Sequence, residues 1–72
     1  MPRLPRLSGR DVIKALERLG FHQTRQRGSH VVMRRGERGC VVPAHKEVRL
    51  GTLSTILNQA GVSVEELLAA LK

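Results

Sequence analysis

Apolar residues recur along the chain in two rhythms, and the switch between them divides it. From Ser8 the spacing is helical, with Val12, Ile13, Leu16 and Leu19 on one face. Ser8 sits at an N-cap position and Asp11, three residues on, makes a capping-box-like pair with it. Leu7 and Val12 occupy the hydrophobic-staple positions. Gly20 suits the site just past a helix end, so the pattern predicts a first helix ending at about Leu19. Residues 1–7 (MPRLPRL) predict an extended, loosely ordered lead, because Pro2 and Pro5 disfavour helix around them. The domain itself is expected over residues 8–72.

Beyond Gly20 the period shortens to two. Phe21 to Arg27 predicts a polar strand, with Phe21, Gln23, Arg25 and Arg27 on one face and His22, Thr24 and Gln26 on the other. Gly28-Ser29 turns the chain into a second strand, His30 to Arg35, whose more apolar set, Val31 and Met33, is assigned to the core. His30, Val32 and Arg34 then face outward. Gly36 to Gly39 predicts a four-residue turn into a short third strand, Cys40-Val41-Val42, which Pro43 ends or places at an edge.

Ala44 to Arg49 reads as a polar connection. Helical spacing then returns in Leu50, Leu53, Ile56, Leu57 and Ala60, with Gly61 as the stop. A last short helix follows, capped by Ser63 with Glu66, stapled by Val62 and Leu67, and carrying Val64, Leu67, Leu68 and Leu71 on its apolar face. The order α-β-β-β-α-α predicts an α+β fold. It is a two-layer sandwich of a three-stranded antiparallel sheet with helices on one face.

Composition narrows the function. Seventy-two residues make one small domain, and Phe21 is its only aromatic residue. The net charge of +7 points to nucleic acid, an acidic protein or an anionic membrane as partner. Twelve of the thirteen Lys and Arg lie in residues 1–49, against Asp11, Glu17, Glu37 and Glu47, so the basic surface belongs to that part. The single Cys40 cannot form an internal disulfide and reads as a small apolar strand residue. A structural zinc site would need more Cys and His at ligand spacing. No apolar run approaches membrane-spanning length and no apolar signal region opens the chain, so a cytoplasmic protein without membrane contact is expected.

The densest chemistry lies in Arg25-Gln26-Arg27-Gly28-Ser29-His30. A histidine entering a strand beside fixed positive charge suits phosphodiester chemistry, since imidazole accepts and donates protons near neutral pH. Arginines at 25, 27, 34, 35 and 38 supply phosphate contacts. With no Trp or Tyr, stacking platforms are missing, so phosphate and shape should dominate recognition.

These pieces fit a known pattern. The sequence resembles the HicA-type mRNA interferase toxins of bacterial toxin–antitoxin pairs. An opening helix runs into Gly20-Phe21, and Arg25 to His30 looks like the family's R-Q-x-G-S-H. Val42-Pro43-Ala44-His45 looks like its V-P-x-H. Gly51-Thr52-Leu53, Ile56-Leu57 and Gln59-Ala60-Gly61 look like its G-T-L-x-x-I-L-x-Q-A-G. The resemblance implies a fold like that of double-stranded-RNA-binding domains. It implies ribosome-independent cleavage of mRNA with His30 as the catalytic residue, and a HicB-type antitoxin that masks it. No metal or small-molecule cofactor is expected.

Around His30, Arg25, Arg27 and Arg34 are the candidate RNA-binding arginines, and Ser29 either donates to phosphate or satisfies the turn. Lys46, Arg49 and Thr52 flank the start of the Leu50 helix, a further candidate anion site. His45 is a candidate second acid/base group or a loop histidine bonded to backbone. Gly28 is the structural turn residue. Two other readings share the charge: a non-catalytic RNA-binding module of the same fold, and a basic adaptor for an acidic protein.

Overall fold

A computed structural model describes residues 4–72; residues 1–3 of the expected lead lie outside it. The elements run α1 (Gly9–Arg18), β1 (His22–Arg27), β2 (His30–Arg35), β3 (Arg38–Pro43), α2 (Leu50–Ala60) and α3 (Val64–Ala70). The predicted order and fold class therefore stand.

Both capping boxes form. Ser8 Oγ accepts from the Asp11 N–H at 3.1 Å and Asp11 Oδ2 accepts from the Ser8 N–H at 3.2 Å. At α3, Ser63 Oγ accepts from the Glu66 N–H at 3.1 Å and Glu66 Oε1 from the Ser63 N–H at 3.0 Å. The Ser63 backbone N–H, helped by its hydroxyl, holds the Glu66 carboxyl below its ordinary range. The far end of α3 is tied back by Arg18, which donates to the carbonyls of Ala70 (2.8 Å) and Lys72 (3.0 Å).

The sheet is an antiparallel meander in the order β1-β2-β3. Val31 and Met33 face the core opposite Val42 and Cys40, and all four are buried. Helix α2 packs on β3, while α1 touches both β3 and α3. Phe21, Leu16, Met33, Leu53, Ile56 and Leu67 are the largest fully buried side chains. Cys40 is buried here too, and burial pushes its thiol up to about 11. Among the described residues no helix is long and apolar enough to cross a membrane.

Several local expectations are corrected. The second hairpin turn is two residues, Gly36-Glu37, so β3 begins at Arg38 and takes in Gly39. Gly36 has φ of 59° and Glu37 has an ordinary negative φ, the pattern of a tight hairpin turn that needs no longer loop. Leu50 leaves the expected α2 stripe and is 58% exposed: it opens the helix, and burial begins one turn later at Leu53. Val64, Leu68 and Leu71 are only half-buried, and Ala70 joins Leu67 on the buried face of α3. Leu7 is not a loose lead residue: it pairs with Val48 in an isolated bridge, and both are buried.

The faces of β1 also change. Opposite residues in an antiparallel pair share a face. His22 lies opposite Arg34, Gln23 opposite Met33, Arg25 opposite Val32, Gln26 opposite Val31 and Arg27 opposite His30. A bulge between Gln23 and Arg25 absorbs Thr24, whose hydroxyl donates to the Val32 carbonyl at 3.4 Å. Strict alternation fails there. Arg25 and Arg27 join His30 and Arg34 on the open face, and Gln23 and Gln26 turn to the helix side.

Candidate active site and nucleic-acid interface

His30 opens β2 immediately after the Gly28-Ser29 turn, and Arg27 faces it across the hairpin. Gly28 has φ of 57°, a left-handed value suited to glycine, and the Gln26 amide donates to its carbonyl at 3.1 Å. No side chain of the protein crowds Gly28, since an added Cβ would meet nothing within 4 Å. The turn is set by the left-handed backbone at Gly28 and the Gln26 amide bond, and it delivers His30, exposed, to the rim of the sheet.

Facing His30 is the β3–α2 connection. His30, Pro43, His45, Glu47, Val48, Arg49 and Thr52 line one cleft of about 310 Å³. Two imidazoles that stand fifteen positions apart in sequence therefore share one small space. The wall beside them is the start of α2. Its N-cap, Arg49, makes no side-chain cap bond, so the first N–H groups of the helix have no side-chain partner there. An uncapped helix start beside a guanidinium is a natural seat for an anion.

The connection is held from three sides. The Ala44 N–H donates to the Ser29 carbonyl at 2.6 Å, the Gly9 N–H to the His45 carbonyl at 2.9 Å, and the Val48 N–H to the Leu7 carbonyl at 2.7 Å. Gly9 matters by having no side chain. A Cβ there would collide with the Pro43 carbonyl oxygen and come within 2.7 Å of the Ala44 Cα. The start of α1 thus presses on the loop that carries His45. This role of Gly9 has no local signal in the sequence, because the contact joins segments far apart in the chain.

The other candidate residues divide. Arg25, Arg27 and Arg34 are exposed on the open face, on the same side as His30. Arg35 and Arg38 do not join them. Arg35 donates to the Leu19 carbonyl at 2.7 Å and its guanidinium lies 4.6 Å from the centroid of the Phe21 ring. Arg38 packs beside Gly61. Arg49 and Thr52 line the cleft with His30, whereas Lys46 lines a second groove with Arg10 and Lys14. Ser29 is half-buried, and its carbonyl is engaged by Ala44. Although His30, His45 and Glu47 share the cleft, no group of three His, Cys, Asp or Glu among the described residues is arranged to hold a metal ion.

A sequence model described as the HicA toxin of bacterial toxin–antitoxin matches residues 9–62. The chain belongs to the HicA toxin family. No curated protein and no solved structure matches it. The HicA match takes in α1, the whole sheet, the β3–α2 connection and α2, and so every residue that lines the His30 cleft; α3 lies beyond it. Membership of a toxin–antitoxin family implies an antitoxin partner for this chain.

Proposed function

We propose that this HicA-family toxin is a cytoplasmic, ribosome-independent mRNA endoribonuclease with His30 as its catalytic residue. The observation that carries the reading is the shared cleft, in which His30, His45, Arg49 and the uncapped start of α2 surround one space. The reaction suited to that set is attack of an RNA 2′-hydroxyl on its own phosphate. One imidazole takes the 2′-hydroxyl proton and the other protonates the departing 5′-oxygen. The products are a 2′,3′-cyclic phosphate and a 5′-hydroxyl. No water, metal or cofactor enters the step, and the two protons balance. Arg49, Thr52 and the α2 N–H groups stabilise the charge that builds on the phosphate.

Arg25, Arg27 and Arg34 hold the flanking backbone through phosphate contacts. Ser29 and Gly28 keep the turn that presents His30. The antitoxin is of the HicB type and covers this face. A purified chain given a defined RNA should yield cyclic-phosphate ends in the presence of a chelator, and His30→Ala should yield none. Cleavage of equal rate by a folded His30→Ala protein would refute the assignment. RNA binding with no cleavage by either protein would favour the non-catalytic binding module instead.

A further inference from the structure

A second concavity adjoins the His30 cleft. It is a groove of about 630 Å³ between α1 and the helix-side face of β1. Arg10 and Lys14, with Glu17 as the one acid, line its α1 wall, Gln23 and Gln26 its β1 wall, Ile13 and Val31 its floor, and His45 and Lys46 its end. The groove and the His30 cleft meet at His45, which lines both. We propose that this groove binds the single-stranded RNA on one side of the cleaved bond, with Arg10 and Lys14 holding its phosphates. This rests on the endoribonuclease reading above and extends it to a second subsite.

Three observations support an RNA strand as occupant. First, the cations are badly placed for the helix that carries them. Arg10 stands in the first turn of α1, where the macrodipole favours acids, and Lys14 follows at i+4, a repulsive like-charge spacing. Asp11 and Glu17, three residues to either side, offset that repulsion at Lys14, but Arg10 has no acid three or four residues away, and an anion in the groove accounts for it. Second, the bulge at Thr24 turns Gln23 and Gln26 to this side. Primary amides over an apolar floor offer donors and acceptors to base edges, where no aromatic ring exists to stack them. Third, the Gly9–His45 bond fixes the α1 wall to the end shared with the cleft, so a strand leaving the cleft past His45 enters the groove directly.

The test uses His30→Ala as the parent, so that ligand is not consumed. Affinity is titrated against salt with a trinucleotide and a dodecanucleotide RNA. The longer RNA should bind more tightly, and Arg10→Gln/Lys14→Gln should remove most of that advantage. Its salt slope should flatten by about 1.4, at about 0.7 per lost phosphate contact on a single strand. Both residues are exposed and Gln is a good helix former, and Lys14→Glu alone should deepen the loss for the longer RNA. An undiminished length advantage in both variants overturns the groove. So does a loss confined to antitoxin binding, which would make the groove a protein-docking surface. Cleavage by the unmutated protein is scored separately. Cleavage without the length effect sinks the groove alone; the length effect without cleavage sinks the endoribonuclease alone.

Discussion

The two edge strands of the sheet have opposite lives. Every residue of β1 is exposed, whereas β3 buries Cys40 and Val42 under the helices and receives α2 along its length. Both pair with β2 over a similar ladder, so backbone hydrogen bonds do not explain the difference. Burial does. The core needs β2 and β3 only, which leaves β1 free to carry charge and amides on both faces. In a domain this small, exposed charged and amide side chains collect where the core makes no demand.

That contrast is sharpest at His30, on the strand between the two edges. His30→Ala should abolish growth arrest and lower RNA cleavage by about 100- to 10,000-fold, the usual contribution of a general acid or base, with an unchanged melting temperature. Equal toxicity from the folded variant would break the assignment. On the buried face of β2 the same truncation should act on stability instead. Met33→Ala, facing Cys40, should cost about 2–5 kcal/mol by urea denaturation, whereas Gln26→Ala on β1 should stay within about 0.5 kcal/mol. Similar losses at both sites would erase the distinction.

Gly9→Ala tests whether the loop beside β3 is as rigid as its contacts require. Overpacking against Pro43 and Ala44 should cost about 1–3 kcal/mol and lower cleavage in proportion to the displacement of His45. At the β1–β2 turn, Gly28→Val should cost about 1–2 kcal/mol, because a left-handed φ crowds a β-branched side chain. Its space is open, so strain alone acts there, and a wild-type urea midpoint would refute the turn assignment. Neutralising Arg25 or Arg27 should leave stability alone and flatten the RNA salt slope by about 0.7 each, with different RNAs weakened equally.

The smallest effect belongs to Cys40 and shows only in alkali. Its folded thiol is raised to about 11 from 9.0, so the unfolded chain loses that proton first. Stability on this account is complete below about 9 and falls as pH rises towards about 11. Cys40→Ala should flatten that part of the profile in urea titrations.

The helix starts and the buried face of β2 are legible locally. Ser8 with Asp11 and Ser63 with Glu66 announce their helices within four residues, and Val31 with Met33 declares the buried face of β2 by alternation alone. Local spacing overstates the Gly36–Gly39 turn and the apolar stripes at Leu50 and in α3, and the larger departures are long-range. The Thr24 bulge is a property of two strands in register, so the sequence of β1 by itself placed Arg25 with Gln23. Val48 sat in a polar connection until Leu7 supplied its partner. His30 was identifiable from its surroundings in the chain. That His45 and Thr52 share its cleft, and that Lys46 does not, depends on how the β3–α2 connection is pinned.

That pinning has a consequence for when the toxin becomes dangerous. The cleft is framed by three segments, around residues 7–9, 29–30 and 43–52, and a ribosome releases them in that order. A nascent chain already bearing His30 still lacks the Arg49–Thr52 wall, and the backbone groups of Leu7 and Gly9 wait for partners not yet made. If the cleft is the toxic site proposed above, toxicity waits until most of the message has been read. A chain truncated after Glu47 should be harmless however much of it a cell contains.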